Sequence, residues 1–501
     1  MKLLVNCRAY AFEPQSRTYA RHDALGIEGT RVCGFDAAQF GGGIERIDLA
    51  GATLVPAFAD CHVHFTESGY TVGTRDLRDA ASYAEFGRRI ATLEPEGDYV
   101  LAGNFDDASW SDGKADAVPL ERWHGARLAL LTRVDGHSAL VNRRTFAELA
   151  LDSNLEGIER DAEGRATGRL YLEANWTAQR HFYERLPAGV RRAAERRAYA
   201  LALSEGVAHL HPQLLGLGSR EAYSAQIERL HELGPMKWYP KVCERDPELA
   251  LALGLPFVGG DVFLDGSLGS GSAALCAPYA DRAGTGELAL DDADVFDFFA
   301  SAERLGISAG VHAIGDRAIE QCLTTWERVL DGRPSERARH FIEHFELATP
   351  SQIARCAKLG LLLSMQPQFD ELWGGSQGMY ETRLGIERAG TMNALRSALN
   401  EGATLCGGDD SPVCQLSPLR GMAAACGHHN PGQRLTPLEA LTMYTADAAR
   451  LGHAEHRTGR LAEGYDADLV VLDRDPFEGG AFGGTRVMQT WIDGAPVYEA
   501  S

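Results

Sequence analysis

Residues 54–64 read LVPAFADCHVH, and this stretch decides the fold that the sequence predicts. It has the pattern of a strand that ends in two histidines, His62 and His64. Side chains on a strand alternate between faces, so both imidazoles point the same way. Two imidazoles on one face at the C-terminal end of a strand make half of a metal site. The pair alone is a weak signal, and its meaning depends on the rest of the chain.

The middle of the chain alternates apolar strand runs with amphipathic helices, which is typical of parallel βα units. Helices are predicted at residues 190–204 and 293–305, between the strands. The pattern predicts an α/β fold, a (β/α)₈ TIM barrel. Its eight strands are predicted at residues 53–62, 206–211, 236–242, 260–265, 307–312, 340–344, 361–366 and 404–410.

Both ends of the chain are rich in short strands. Residues 3–6, 25–27 and 44–49 near the start match residues 467–472 and 487–492 near the end, with a hairpin turn at Asp493-Gly494. We therefore predict one small β-sandwich built from residues 1–54 and 455–501, with the barrel over residues 55–454. About 140 residues separate the first two barrel strands, which is too long for a loop. Residues from about 70 to 185 are predicted to form an inserted domain with strands at 99–103 and 128–133.

Composition narrows the classes of function. The 501 residues carry a formal net charge of −21 without a basic run, which argues against a nucleic-acid partner. No apolar run approaches the roughly 20 residues needed to cross a bilayer. The ten cysteines include no CxxC pair, which is typical of reduced thiols. We expect a cytoplasmic protein that acts on a small-molecule substrate, with a homodimer as the default assembly.

Polar residues at the ends of three later strands complete the predicted metal site. His312 ends the fifth strand, His344 the sixth, and Asp410 the eighth. A lone buried histidine is usually a core residue, but barrel active sites gather at the C-terminal rim, where all of these residues are expected. A second His-x-His pair, His209 and His211, ends the second strand and is taken only as pocket lining.

With these residues in place, the chain resembles the amidohydrolase superfamily, and within it the amidohydrolase family 3 subgroup that contains N-substituted formamide deformylase. The resemblance spans nearly the whole chain. Its motifs are YVLAGNF at 99–105, RVDGHS at 133–138, LDGSLGS at 264–270, HAIGD at 312–316, RLTPLEA at 434–440 and GYDADL at 464–469. It implies a metal site of His62, His64, His312, His344 and Asp410, and a substrate-side role for His137. Asp410, rather than Asp409, matches the family aspartate because Ser-Pro-Val follows it directly.

One departure from the subgroup affects the number of metal ions. Members often carry a lysine, whose carbamate bridges two metals, at the position of Asp261. On a straight strand Asp261 lies about 13 Å from Asp265, which is too far for its short side chain to replace the carbamate. We therefore hypothesise one principal zinc ion, with a second ion or another divalent metal as the alternative. His62, His64, His312 and Asp410 would be its ligands. Since position 261 is not a lysine here, Lys241, at the end of the third predicted strand, is the residue that could form a carbamate instead.

The predicted function is hydrolysis of an amide, formamide or cyclic amide C–N bond by metal-activated water. Asp410 is expected to take the proton and pass it to the leaving nitrogen, while His344 stabilises the oxyanion. Deamination of a heterocyclic amine is the alternative, and an inactive ligand-binding barrel is a third possibility. Predicted substrate contacts are His137, Asp265, Phe105, Trp110, Gln366 and Trp373; the aromatic residues among them could equally pack the insertion against the barrel.

Overall fold

The structure, a computed structural model, describes residues 1–41, 43–107, 110–134, 136, 138–480 and 482–500. The chain divides into two compact units. The first consists of residues 1–63, 202–410 and 416–501, and the second of residues 64–201 and 411–415. The second unit therefore begins earlier and ends later than the insertion predicted at about 70–185.

The strands of both units are numbered together in chain order. They are β1 (Lys2–Glu13), β2 (Thr18–Glu28), β3 (Arg31–Gly34), β4 (Glu45–Asp48), β5 (Thr53–Pro56), β6 (Phe58–Val63), β7 (Tyr99–Phe105), β8 (Leu128–Arg133), β9 (Ser138–Val141), β10 (Ile158–Arg160), β11 (Ala166–Tyr171), β12 (Val207–Leu214), β13 (Lys237–Trp238), β14 (Lys241–Val242), β15 (Phe257–Phe263), β16 (Ser308–Ala313), β17 (Phe341–His344), β18 (Leu362–Met365), β19 (Thr404–Gly407), β20 (Leu469–Leu472), β21 (Val487–Ile492) and β22 (Ala495–Glu499).

The α-helices are numbered in the same way. They are α1 (Phe65–Thr71), α2 (Tyr83–Ala91), α3 (Val118–His124), α4 (Arg143–Leu149), α5 (Leu172–Arg185), α6 (Ala188–Ser204), α7 (Arg220–His231), α8 (Pro247–Ala252), α9 (Asp292–Leu305), α10 (Asp316–Val329), α11 (Pro350–Leu359), α12 (Pro367–Trp373), α13 (Met379–Leu384), α14 (Ile386–Ala389), α15 (Leu395–Asn400), α16 (Pro418–Gly427), α17 (Pro437–Met443) and α18 (Ala446–Leu451).

Helix boundaries follow from local sequence signals. Helix α11 begins with a capping box in which the side chains of Thr349 and Gln352 each accept a hydrogen bond from the other residue's backbone N–H. It ends at Gly360, whose φ of 66° is the left-handed conformation that glycine adopts without steric cost. Helix α9 begins at Asp291, whose side chain accepts from the N–H of Asp294. These caps fix where α9 and α11 begin and where α11 ends.

The two ends of the chain share one sheet. Eight strands lie in the order β22-β21-β20-β5-β1-β2-β3, with β4 paired to β1. Strand β20 pairs antiparallel with β5, from Leu469 opposite Pro56 to Leu472 opposite Thr53. Strand β21 and the hairpin that follows it lie where the sequence predicted them. The structure therefore confirms that both termini contribute to one sheet, while the sandwich stays a prediction.

The remaining strands of the first unit are parallel. Strands β6, β12, β13 and β14 form one sheet, and β15 to β19 form a second in chain order. Strands β6, β12 and β16 are buried along their whole length, as expected for parallel strands covered on both faces. At their ends, the N–H of Asp410 donates to the carbonyl oxygen of His62 over 2.8 Å. The last of these strands thus meets the first.

The limits predicted for the first barrel strand were wrong. Residues 53–62 were expected to form a single strand, but the structure divides them between β5, in the terminal sheet, and β6, which pairs with β12. The break falls at Ala57, directly after Pro56, which has no N–H to donate. The third predicted strand, at residues 236–242, is also divided, into β13 and β14, which pair separately with β12. The other predicted barrel strands are present with shifts of a few residues at their ends.

The second unit contains a sheet of its own, in the order β10-β11-β9-β8-β7. Strands β7 and β8 are the two that the sequence predicted, and they pair in parallel from Tyr99 opposite Leu128. Strands β9 to β11 were not predicted. Their sequences are short, which left little periodicity to detect. Among the described residues, no helix of either unit combines the length and the apolar character needed to span a membrane.

Strand β15 is bent by two successive glycines. Gly259 and Gly260 have φ angles of 85° and 95°, and the pairing with β16 changes register between Gly259 and Phe263. A Cβ on Gly259 would lie 2.0 Å from the carbonyl oxygen of Gly310 on the neighbouring strand. Other residues rarely adopt this conformation, and none fits so close to a backbone. The glycines therefore turn the strand just before Asp261.

Replacing Gly259 by alanine is expected to lower the midpoint of thermal unfolding. Gly254→Ala is the matched control, because Gly254 also has a positive φ, of 72°, but a Cβ at Gly254 would meet no atom of the described residues within 4 Å. Strain from φ alone costs on the order of 1–3 kcal/mol at either site. Gly259→Ala adds a clash with backbone and should lower the midpoint further. Equal losses in the two variants would show that the bend is not packed as described.

Candidate metal centre

His62 lies at the centre of a cluster of buried polar side chains. Its side chain is completely buried at the end of β6. The Nε2 atom is 3.3 Å from Asp410 Oδ1 and 3.4 Å from Asp261 Oδ2. The Nδ1 atom, on the other side of the ring, is 2.8 Å from Glu343 Oε2. The two nitrogens of one ring therefore face different carboxylates.

The contact with Glu343 fixes the form of the imidazole. When Nδ1 carries the proton it donates to Glu343, and Nε2 keeps its lone pair directed at Asp261 and Asp410. A ligating histidine is commonly held in this way by a carboxylate on its other nitrogen. Lys241 Nζ donates to Glu343 Oε1 over 2.5 Å and to the carbonyl oxygen of Cys61 over 2.7 Å. Lys241 thus neutralises Glu343, and a carbamate on Lys241 stays a prediction.

Asp410 and its neighbour Asp409 have separate roles. Asp410 has a φ of 52°, in the left-handed region, and its carboxylate faces His62. Asp409 accepts hydrogen bonds from the N–H of Ser417 and from Gln368 Nε2. Burial, followed by the charge of Asp60, raises the pKa of Asp409 well above its usual value. The structure therefore brings Asp410, and not Asp409, to the cluster.

His312 and His344 provide two further imidazoles. His344 Nδ1 is 2.8 Å from Gln366 Oε1, which leaves Nε2 for the cluster. The His344 ring centroid is 4.5 Å from that of His312 and 4.9 Å from that of His62. His312 Nδ1 is buried and makes no hydrogen bond among the described residues. The one-ion hypothesis left His344 out of its four ligands, and the structure places its ring beside those of His62 and His312.

Asp261 corrects the sequence-based argument on distance. Its side chain was expected to lie too far down the strand, but the bend at Gly259 and Gly260 carries it into the cluster. Its Oδ1 atom lies 3.8 Å from His312 Nδ1 and 3.9 Å from His344 Nε2. The spacing of about 3.3 Å per residue, on which the argument rested, holds only for a straight strand.

The donor atoms of this cluster suit a divalent ion. Those of His62, His344 and Asp410 lie within 4.8 Å of one another, and so do those of Asp261, His312 and His344. Imidazole nitrogens and carboxylate oxygens are a donor set that zinc and other divalent metals bind. Every one of these side chains is buried, and buried carboxylates need nearby positive charge. The residues present therefore fit a metal ion.

The pKa shifts of His62 and Asp261 reflect the carboxylates and imidazoles that surround them in the cluster. Burial alone would lower the pKa of His62, but Asp261, Glu343 and Asp410 raise it well above the usual value. Burial alone would raise the pKa of Asp261, but the charge of His62 and the nearby imidazoles of His312 and His344 lower it well below the usual value. The cluster favours a positive charge at its centre.

Two of the predicted substrate residues have structural contacts in the first unit. Asp265 Oδ1 accepts from the N–H of Ile314, and Oδ2 accepts from the N–H groups of Gly315 and Ala274. Gln366 holds His344 and is only 2% exposed. Asp265 therefore fastens the loop that follows His312, and Gln366 orients an imidazole. A contact of either residue with substrate stays a prediction.

The aromatic residues and the remaining histidines take different places. Phe105 and Trp110 are buried in the core of the second unit, where both rings pack against Phe86. Trp373, half-buried on α12, contacts Phe369. The pair His209 and His211 lies outside the cluster. His209 bonds Thr458, and the ring of His211 stacks on Tyr239 and Phe257.

Two of the predicted site residues do not belong to the described part of the first unit. His64 is the first residue of the second unit and caps the start of α1. Its role as a ligand stays a prediction. His137 lies outside the described residues.

Sequence reasoning missed the residues that support the ligands. Glu343 stands directly before His344 in a strand whose four residues are all buried, and a fully buried glutamate signals a partner. Asp60, two residues before His62, accepts from the N–H groups of His62 and Asp409 and so joins β6 to the end of β19. Burial raises the pKa of Asp60 to about 7. The successive glycines before Asp261 were the available signal for the bend.

Parallel strands with a buried His and Asp cluster at their ends are the arrangement expected of a metal-dependent hydrolase. A family model described as an amidohydrolase family (Amidohydro_3) matches residues 45–498, and the chain belongs to this family. It is 25% identical to N-substituted formamide deformylase of Arthrobacter pascens, over 91% of this chain and 90% of that protein. It is 27% identical to Protein LONG AFTER FAR-RED 3 of Arabidopsis thaliana, over 91% of this chain and 84% of that protein. The predicted family is thereby confirmed.

A solved structure agrees with this assignment. An uncharacterised metal-dependent hydrolase from Pyrococcus furiosus superimposes with a TM-score of 0.75 and 27% identity, covering 95% of this chain and 99% of that one. The likeness extends over both units of the chain.

Replacing Glu343 by glutamine is expected to weaken metal binding by about 10–100-fold, since the charge that orients His62 is lost. The single change also leaves Lys241 as a buried unpaired cation, which costs on the order of 3–5 kcal/mol of stability. The double variant Glu343→Gln/Lys241→Met separates the two effects, because it should recover stability but not affinity. Competition with a chromophoric chelator measures the affinity. Full metal affinity in the double variant would show that Glu343 does not act on His62.

Proposed function

We propose that this protein hydrolyses an amide, formamide or cyclic amide C–N bond of a small molecule, with zinc as the metal. The observation that carries the proposal is the convergence of His62, His312, His344 and Asp410 at the ends of four different strands. Similarity to the formamide deformylase supports a C–N bond as the target. The nitrogen and oxygen donors support zinc.

We also propose that the parallel strands of the first unit close into a (β/α)₈ barrel. Strands β15 to β19 pair in chain order, and β12 joins β6 to β13 and β14. The hydrogen bond from Asp410 to His62 supports closure between β19 and β6. The cluster would then lie at the C-terminal rim, where barrel enzymes carry their active sites.

The chemistry follows from the positions of the charges. A divalent ion held by these residues would supply a water whose pKa is lowered from about 15.7 to about 7. Asp410 accepts the proton of this attacking water and delivers it to the leaving nitrogen, acting first as base and then as acid. Two hydrogen bonds fix the position of Asp410. Its own N–H donates to the backbone carbonyl oxygen of His62, and the N–H of the preceding Asp409 donates to the carboxylate of Asp60.

His344 can serve the reaction through the same nitrogen that faces the cluster. With Nδ1 held by Gln366, its Nε2 is directed at the reacting centre. There it would bind the ion, or donate to the oxyanion that develops on the attacked carbonyl. The left-handed φ of 71° at His344 and the buried Gln366 hold the ring in this direction.

Asp410→Asn is expected to reduce turnover by at least about 10²-fold, because asparagine cannot carry the proton. Asp409→Asn is the matched control: the same chemical change at the adjacent residue, whose side chain is directed at Ser417 and Gln368. It should retain most of the turnover. Metal content is measured in both variants, so that a lost base is distinguished from a lost ion. Unchanged turnover in Asp410→Asn would refute the proton-transfer role.

The reaction itself is tested with a panel of N-acyl, N-formyl and heterocyclic amine compounds, in which both products are followed. We expect a carboxylic acid or formate together with an amine. Turnover should disappear after dialysis against a chelator and return with added zinc. Free ammonia from a heterocyclic amine would replace the proposal with deamination. Hydrolysis that survives removal of the metal would contradict the mechanism.

A further inference from the structure

A cavity opens in the first unit where β17 and β18 begin. His340, directly before β17, and Leu361, directly before β18, both line it. Its volume is about 320 Å³, at the lower end of the range that small-molecule sites occupy. The metal cluster lies at the other end of β17, where His344 is the last residue of the strand. The cavity and the cluster are therefore separate sites.

Basic side chains dominate the wall of this cavity. Among the described residues, three arginines, two histidines and a single carboxylate line it, namely Arg337, Arg339, Arg450, His340, His453 and Glu336. The chain as a whole is the reverse, with 70 acidic residues against 49 basic ones. Three guanidinium groups around one open volume are therefore a local excess of positive charge, and the volume is called the basic cavity below.

Two of the three arginines lack a carboxylate partner. Arg339 donates to Glu455 through both of its Nη atoms, over 2.9 Å and 2.6 Å. The side chains of Arg337 and Arg450 make no hydrogen bond and no close ion pair with any described residue. Glu336 makes no close ion pair either within the described part of the chain. The positive charge of Arg337 and Arg450 is therefore available to an anion that enters the basic cavity.

The wall of the basic cavity is held in place by hydrogen bonds. Arg339 Nη1 donates to the carbonyl oxygen of Arg450 over 2.8 Å. Ser335 Oγ accepts from the N–H of Arg337 over 3.0 Å, and Ser308 Oγ accepts from the N–H of Arg339 over 2.9 Å. A ligand that binds to a wall already fixed in this way loses less free energy to the ordering of loops.

We propose that the basic cavity binds a small molecule through a phosphate group. Guanidinium groups bind oxyanions with paired, parallel N–H bonds, and a phosphate offers three oxygens and up to two negative charges to the three arginines. The net charge of −21 opposes the approach of nucleic acid or of an anionic membrane, and the volume suits a small ligand. The proposal depends neither on the metal ion nor on the reaction.

Calorimetric titration with inorganic phosphate tests the site. The metal-loaded protein is titrated at constant ionic strength, so that screening of surface charges does not change. We expect saturable binding of about one phosphate per chain. Arg337→Gln and Arg450→Gln should each weaken it by about 10-fold or more, because each removes a charged hydrogen-bond donor. Both side chains are exposed, so neither change should affect folding.

Two controls identify the place where phosphate binds. Arg333→Gln is the matched variant: Arg333 is an exposed arginine of the same loop that lies outside the cavity wall, 3.1 Å from Asp331, and its change should leave the affinity unaltered. The second control removes the metal with a chelator, because phosphate can also bind to a metal ion. Binding should persist in the metal-free protein and should keep its dependence on Arg337.

The outcomes decide between the basic cavity and other sources of binding. A wild-type protein without saturable binding overturns the proposal, and so do equal losses of affinity in Arg333→Gln and Arg337→Gln. Binding that disappears with the metal but ignores the arginines places phosphate at the metal cluster, which also overturns it. Tighter binding of malonate, a dicarboxylate, would overturn the assignment of a phosphate group. Loss of binding in Arg337→Gln and Arg450→Gln alone supports it.

Discussion

His62 is bound by carboxylates on both sides of its ring, and the rest of the site depends on this arrangement. Glu343 contacts Nδ1, while Asp261 and Asp410 face Nε2. Each carboxylate arrives from a different strand. Lys241 removes one of the negative charges by pairing with Glu343. The charge that remains, buried beyond the reach of water, is what gives the cluster its affinity for a cation.

Backbone conformation, more than side-chain identity, brings these groups together. His344 and Asp410 have positive φ angles of 71° and 52°. Residues other than glycine seldom adopt such angles. Such conformations cost energy and persist where the surrounding structure enforces them, often at functional sites. Gly408 lets the end of β19 approach β6, because a Cβ at this position would lie 2.7 Å from the backbone nitrogen of His62. The strands therefore end in turns that direct ligands inward.

Much of the scaffold could be predicted from the sequence because it is encoded locally. Alternating apolar runs and helices indicated the parallel strands, and His312, His344 and Asp410 could be recognised from their positions at strand ends. Asp261 could not, because its distance from the cluster depends on a bend that periodicity does not show. Glu343 was missed for a related reason. It supports the site by contacting His62, which is remote in sequence and becomes a neighbour only after folding. The division of residues 53–62 between two sheets likewise depends on β20, from the far end of the chain.

The pairing of β20 with β5 has a consequence for synthesis of the chain. Strand β5 is translated long before its partner, because most of the first unit and all of the second lie between them in the sequence. At roughly 5–20 residues per second, the exposed edge of β5 waits on the order of tens of seconds for that partner. An open edge of this kind can pair with another chain during the interval. The edge of β5 therefore stays unprotected in the nascent polypeptide until β20 emerges.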